Sequence, residues 1–314
     1  MISYLQAVVI GLLQGVTELF PVSSLGHSVL VPAIIGGSWE HLATQSSTST
    51  SSTSPYLAFI VALHVATALA LLVFFRSDWA RIIRAFVTSV RTRKIETSTQ
   101  RLAWLIVVAT IPVGITGLAL EHVFRTLFAK PLAAAIFLTI NGLILFVGEF
   151  LRRRSDAEGR TPTGDSPTRT RSAEPAVPGS RPPTATTRNL ETLAFREAGV
   201  IGLFQTFALL AGISRSGITM VAGLLRGLDH EDAARFSFLL ATPVILAAGV
   251  LKLPSLAGAS GAHIHGQIVV GMLCAGGAAY LSIRFLINFF KTRTLTPFAI
   301  YSVAAGVVCI AAFA

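Results

Sequence analysis

Two stretches of this chain set charged and hydroxyl-bearing side chains inside otherwise apolar sequence. In the first, Gln14 and Glu18 lie four residues apart, and Ser23, Ser24 and His27 follow just beyond Pro21. The four-residue spacing puts Gln14 and Glu18 on one helix face. In the second, Ser214-Arg215-Ser216-Gly217 follows Gly212, with Thr219 two residues further on. If Ser23 or Ser24 caps the helix after the first break, the free N–H groups of that helix point into the space the break lines, and His27 lies one turn away. The second stretch supplies a guanidinium, two hydroxyls and a run of N–H groups at a helix start. Helix N-termini combined with Arg make a site for a phosphate or a carboxylate, and Gly217 lets the backbone approach such a ligand closely.

The elements that must position these groups are membrane helices. Of the 314 residues, 53% are apolar and 13% charged, where a soluble globular chain carries about 25% charged residues. A bilayer core needs about 20 apolar residues per helical crossing. Runs at 56–75, 102–120, 132–151, 233–251, 266–287 and 295–313 meet that length. The regions 2–36 and 198–226 are too long for one ordinary span and too polar in the middle, so each is read as a helix, a break and a second helix. Non-helical backbone at membrane depth is tolerated only where protein or a watery cavity satisfies it; both breaks should therefore line a cavity. Residues 152–196, rich in Arg, Pro, Thr and Ser, are expected to be a flexible basic insert, and the Thr44–Ser54 run a flexible loop. Cys274 and Cys309 lie in apolar runs without metal or redox spacing and read as core residues.

Gly11-Leu-Leu-Gln14 recurs as Gly202-Leu-Phe-Gln205, and at the same offset of 191 residues Ser23 falls on Ser214 and Gly26 on Gly217. The larger order repeats as well: one broken helix pair, then three spans. If each pair is re-entrant, every repeat crosses the membrane three times and the second repeat is inverted relative to the first, an architecture whose site lies at the midplane. The expected fold is thus an all-α polytopic membrane protein with an inverted-topology repeat: residues 1–151, the insert 152–196 and residues 197–314. In this topology 21 Lys and Arg residues fall in loops on one face and 3 on the other, with Arg215 left over. The heavy face is expected to be cytoplasmic. This placement explains the net charge of +10 and removes a nucleic-acid partner.

Glu18 is the only acidic residue deep in an apolar segment and Arg215 the only basic one, each at the break of its own repeat. A charge at the bilayer centre costs at least ~2.5 kcal/mol, so it marks a functional cavity and a partner. The competing reading is a structural Glu18–Arg215 bridge, which has no need of Gln14, Ser23, Ser24, His27, Ser214, Ser216 and Thr219 around it. His64 and Thr67 sit within a span and read equally well as core or site residues; Asn141 and Gln205 read as interhelical glue. His122, His230, His263 and His265 are placed in loops, and Asp229-His230-Glu231-Asp232 reads as a solvated helix start with an acidic first turn rather than a metal site.

The stretch Gln14-Gly-Val-Thr-Glu18-Leu-Phe-Pro-Val-Ser23-Ser24-Leu-Gly-His27 resembles the first signature of the bacterial undecaprenyl-diphosphate phosphatases, also called bacitracin-resistance proteins. Ala211-Gly-Ile-Ser214-Arg215-Ser216-Gly-Ile-Thr219 resembles the second, and the likeness runs on through Leu63-His64-Val65-Ala66-Thr67-Ala68 and from Ile111-Pro112 to Glu149. Gln14 stands where that family often has Glu, and Ala211 where Pro is usual. A second lipid-phosphatase class with Pro-Ser-Gly-His is only superficially similar, because its Lys-x6-Arg-Pro and His-x3-Asp elements are missing here.

The resemblance implies hydrolysis of undecaprenyl diphosphate to the monophosphate carrier and phosphate at the outer face of the bacterial plasma membrane, which recycles the carrier for cell-wall synthesis. It implies that Arg215, with Ser214, Ser216, Gly217 and Thr219, holds the diphosphate and the transferring charge, alongside Gln14 and Ser23. Ser24 is the expected nucleophile, with Glu18 or His27 as its base; water activated by Glu18, or His27 itself, are the alternative nucleophiles. No tightly bound cofactor is expected. A divalent cation, Mg or Ca, would have Glu18 and the diphosphate as ligands, and one carboxylate alone is a poor metal site. A polyprenyl-phosphate flippase would need Arg215 but no nucleophile, and a mere scaffold would need the polar cluster only for stability. Oligomeric state is left open.

Overall fold

The computed structural model describes residues 2–40, 55–119, 130–158, 190–257 and 264–314, and the regular structure among the described residues is all helical, with no strand. His122, His263, the Thr44–Ser54 run and residues 159–189 of the insert lie outside them. The first broken pair is α1 (Tyr4–Thr17) and α2 (Ser24–Ile35), of 14 and 12 residues, each too short to cross a bilayer by itself. α3 (Pro55–Phe74) and α4 (Arg76–Thr92) follow, then α5 (Ser98–Ala119) and α6 (Pro131–Glu158). The second broken pair is α7 (Phe195–Thr206) and α8 (Arg215–Leu224), joined through a 3-10 turn at Phe207–Leu209. α9 (His230–Ala257), α10 (His265–Phe290) and α11 (Thr296–Phe313) complete the chain. α5, α6, α9, α10 and α11 are long and apolar enough to cross a membrane; the protein is a multi-pass membrane protein.

Two sequence expectations change. Residues 76–92, which lie between the apolar runs 56–75 and 102–120 and are therefore expected in one of the basic loops, are the helix α4, which leaves α3 at a bend of 85°. Its apolar residues recur with helical spacing among arginines, a pattern that a search for unbroken apolar runs passes over. The described ends of the 152–196 segment are also ordered. α6 continues past residue 151 to Glu158, and Leu190 and Leu193 pack into the core. The N–H of Leu190 is held at 3.2 Å by Asp232 Oδ2.

α9 lies at the centre of the bundle: 56% of its apolar stretch is buried, against 28–39% for the other long helices. Phe236, Phe238 and Leu239 of α9 pack in one core with Leu71, Leu105, Leu145 and Leu286. Between membrane helices, tight packing is set by small residues that let backbones approach. Gly11 and Gly15 of α1 lie against the carbonyls of Gly271 and Ala275 in α10, and Gly202 of α7 lies against Ala109 of α5 in the same manner. α6 and α11 meet at Gly142 and Gly306, which face Val303 and Thr139. A β-carbon at Gly15 would run into the Ala275 carbonyl. Gly15→Val is therefore expected to cost about 1–3 kcal/mol through overpacking, read as a lowered unfolding temperature in detergent. An unchanged temperature would mean that α1 can move off α10 freely.

Candidate functional site

The two breaks are built alike. α1 ends at Thr17, and the chain turns through Leu19–Val22 to Ser23, which holds φ +69. A non-glycine residue in that region is uncommon and must be imposed by its surroundings. Ser23 Oγ accepts from the Gly26 N–H at 3.2 Å, capping α2, and from the Gly212 N–H of the other break at 3.1 Å. At the second break Gly212 holds φ +111, and a β-carbon there would meet the α6 backbone. Ser214 Oγ accepts from the Gly217 N–H at 3.2 Å, capping α8 as Ser23 caps α2.

Asn141 of α6 braces both breaks from one side. Its Nδ2 donates to the Pro21 carbonyl at 3.0 Å and to Ser302 Oγ at 3.3 Å, and its Oδ1 accepts from the Ser214 N–H at 2.9 Å. Sequence reading took Asn141 for generic glue; its place in the middle of an apolar helix gave no hint of which backbone groups it would meet.

Glu18 is buried where the breaks meet, and four side chains converge on it. Its Oε2 accepts from Ser24 Oγ at 2.5 Å and from Gln14 Nε2 at 3.0 Å, and His64 Nε2 lies 3.3 Å away. Its Oε1 is paired with Arg215 Nη2. His64 Nδ1 lies 2.8 Å from the Ile60 carbonyl, an atom that can only accept. His64 Nδ1 therefore carries a hydrogen, and Nε2 is the nitrogen that faces Glu18 Oε2. Among the described residues Arg215 Nη1 and Gln14 Oε1 are buried without a hydrogen-bond partner, and such groups call for a ligand or water.

Gln14, Glu18, Ser24 and Arg215 thus come together as one cluster. Ser23, Ser214 and Gly217 shape the breaks around it, and Ser216 Oγ pairs with Ser214 Oγ at 3.0 Å. Two candidates face elsewhere. Thr219 Oγ1 donates to the Arg215 carbonyl at 2.7 Å within its own helix. His27 bonds the Ser23 carbonyl through Nδ1 at 2.7 Å and the Tyr301 hydroxyl through Nε2 at 2.8 Å, so neither nitrogen is directed at Ser24 or Glu18. His64, ranked low from sequence, is the residue that joins. Its neighbour Thr67 donates to the His64 carbonyl at 2.7 Å, and Gln205 Nε2 donates to the Ala109 carbonyl at 3.2 Å.

Residues 229–232 start α9, with Asp229 Oδ1 accepting from the Asp232 N–H at 2.7 Å. Glu149 is held by His230 Nε2 at 2.9 Å and Arg153 Nε at 3.3 Å, away from the Glu18 cluster.

The family model described as bacitracin resistance protein BacA matches residues 7–308. The chain belongs to this family. Within the BacA match lie both breaks and all four side chains that meet at Glu18. A protein of Frankia alni named undecaprenyl-diphosphatase 2 is 66% identical, over 100% of this chain and 98% of its own length. One of Mycolicibacterium paratuberculosis named undecaprenyl-diphosphatase is 57% identical over 97% of this chain and 95% of its own. A Burkholderia orbicola protein named undecaprenyl-diphosphatase 2 is 41% identical over 98% and 95%. Gln14 gives Glu18 an N–H donor that a second ionised carboxylate could not supply.

Asn141→Ala is expected to strip the Pro21 carbonyl and the Ser214 N–H of their partner, at about 1–3 kcal/mol for each group left unsatisfied. Thermal unfolding in detergent should show the loss, and an unchanged midpoint would contradict the bracing role.

Proposed function

We propose that this membrane protein hydrolyses undecaprenyl diphosphate to undecaprenyl phosphate and inorganic phosphate, recycling the lipid carrier for cell-wall synthesis and so conferring bacitracin resistance. The observation that carries the reading is the 2.5 Å contact between Ser24 Oγ and Glu18 Oε2, beside an Arg215 whose Nη1 has no partner among the described residues. A protein that only moved lipid would need no base on a serine hydroxyl. The names of the whole-length relatives point the same way.

In the proposed sequence the terminal phosphate enters between the breaks and takes Arg215 from Glu18, with the N-terminal N–H groups of α8 and α2 offering further donors. Ser24 Oγ attacks the terminal phosphorus and its proton passes to Glu18. The bond to the bridging oxygen breaks, and undecaprenyl phosphate leaves with its electron pair and takes the proton held at Glu18, which is a base again. Water, giving a proton to Glu18, then attacks the phosphorus of the phosphoserine; the bond to Ser24 Oγ breaks, that oxygen takes the proton back from Glu18, and phosphate is released. Arg215 and the backbone dipoles act mainly by stabilising charge on the transferring phosphoryl group. Ser23, Ser214, Ser216 and Gly217 hold the breaks in shape, and Gln14 orients Glu18. His27 serves through the Ser23 carbonyl and Tyr301 rather than as base.

A divalent cation finds no ready seat. Both oxygens of Glu18 are engaged, a guanidinium adjoins them, and among the described residues no three His, Cys, Asp or Glu side chains gather as a metal site. The prenyl chain is assigned to the apolar groove between α1 and α10, lined by Leu12, Val16, Phe20, Leu273, Leu281 and Phe285; Phe20 lies two residues from Glu18. The two broken pairs are read as inverted repeats, with the basic loops cytoplasmic and the site open to the outside.

Phosphate release from undecaprenyl diphosphate in detergent is the test. Ser24→Ala and Arg215→Ala are each expected to lower turnover by about 10²-fold or more while remaining folded by size-exclusion chromatography. Full turnover by a folded Ser24→Ala variant would remove the serine mechanism. No release by the wild type would remove the assignment.

A further inference from the structure

α4 carries three distinct faces. Its inner face packs on the bundle: Ile82 is buried, Trp79 and Phe86 lie against the core, and Ser89 Oγ accepts from Trp104 Nε1 at 2.9 Å. Beside that face, Ile83, Val87 and Val90 form an exposed apolar stripe at helical spacing, with 54%, 41% and 50% of their surface open. Beyond the stripe lie the exposed Arg84 and Arg91, with Arg93 just past the helix end. Among the described residues none of these three arginines pairs with a carboxylate. The one acidic residue of the helix, Asp78, is already engaged by Arg81 and by Arg235 of α9.

Neither of the simple placements suits this pattern. If α4 continued through the hydrocarbon, Arg84 and Arg91 would be stranded at depth. If it stood in water, the Ile83–Val87–Val90 stripe would remain exposed. The 85° bend at Phe75 turns α4 across the axis of α3, and a helix lying flat at the bilayer interface buries an apolar stripe while its basic edge stays among the headgroups. Arginines beside the surface are drawn to anionic lipid.

We propose that α4 is an interfacial helix whose Ile83–Val87–Val90 stripe enters the bilayer boundary and whose Arg84, Arg91 and Arg93 bind anionic phospholipid headgroups. The inference is independent of the phosphatase reading, since none of these residues belongs to the Glu18 cluster.

Nitroxide labels placed singly by Ile83→Cys, Val87→Cys, Val90→Cys, Arg84→Cys and Arg91→Cys test it. The full-length protein would carry Cys274→Ala and Cys309→Ala and sit in phosphatidylcholine vesicles with or without phosphatidylglycerol. Each labelled protein is first required to retain phosphate release or the wild-type elution volume. The expected result is a higher ratio of oxygen to aqueous nickel-chelate accessibility at 83, 87 and 90 than at 84 and 91. That contrast should shrink when phosphatidylglycerol is left out, and shrink likewise in its presence when Arg84→Gln and Arg91→Gln are introduced together behind the label at 87. Nickel access at 83, 87 and 90 would overturn the proposal in favour of a solvated helix. Protection from both reagents would mean that a protein partner or second copy covers the stripe, and oxygen access at 84 and 91 as well would mean that α4 dives into the core. A contrast indifferent to lipid charge would overturn the headgroup assignment.

Discussion

A carboxylate and a guanidinium within an apolar helical bundle can persist only in one another's company. Leaving either without the other would strand a buried charge at about 3–5 kcal/mol. The contact between Glu18 and Arg215 joins residues 197 positions apart in the chain, so it can form only when both broken pairs meet at the same depth. The rest of the bundle is arranged to make them meet. Ser23 reaches across to the Gly212 N–H, Asn141 holds Pro21 and Ser214 together, and Gly217 leaves room for Pro21 beside it. The glycines of α1 and α7 let those short helices lie close on α10 and α5. A structural bridge would be complete at this point. Here one guanidinium nitrogen is buried without a partner among the described residues and the carboxylate also takes a serine hydroxyl, so the pair has the free donor that an anion could use to open it.

This arrangement explains why the breaks sit in the membrane at all. Ending a helix there exposes backbone N–H groups that lipid cannot satisfy. Ser23 and Ser214 satisfy part of that demand through the caps on Gly26 and Gly217, and an incoming phosphate would satisfy more. The positive φ of Ser23 and Gly212 is the conformational cost of turning the chain so sharply. It recurs at the two places where the chemistry is proposed to occur.

Much of this was legible in the sequence, for reasons of solvation. A lone Glu and a lone Arg in apolar runs, each beside a Pro or Gly and a capping Ser, declare a broken helix and a polar cavity before any packing is known. The long helices were equally plain from their apolar lengths. What escaped was whatever depends on how one helix faces another. His64 sits on α3 with nothing nearby in sequence to link it to Glu18, and Asn141 looks like any polar group in a span. Conversely, Thr219 and His27 were near the site in sequence but turned onto the carbonyls four residues back, Arg215 and Ser23, as hydroxyl and imidazole groups in helices often do. α4 escaped because its apolar residues are spaced for one face of a helix and interleaved with arginines.

The measurement that bears most directly on a Glu18–Arg215 pair built to be opened is the affinity for a short prenyl diphosphate when the pair is released. Ser24→Ala protein, expected to hold the diphosphate without turning it over, is compared with the Ser24→Ala, Glu18→Gln double variant by calorimetry in detergent. If Glu18 competes with the diphosphate for Arg215, the double variant stays folded and binds more tightly than Ser24→Ala alone. Weaker binding by a folded double variant, or a protein that no longer folds, would make the pair a structural bridge and contradict the account.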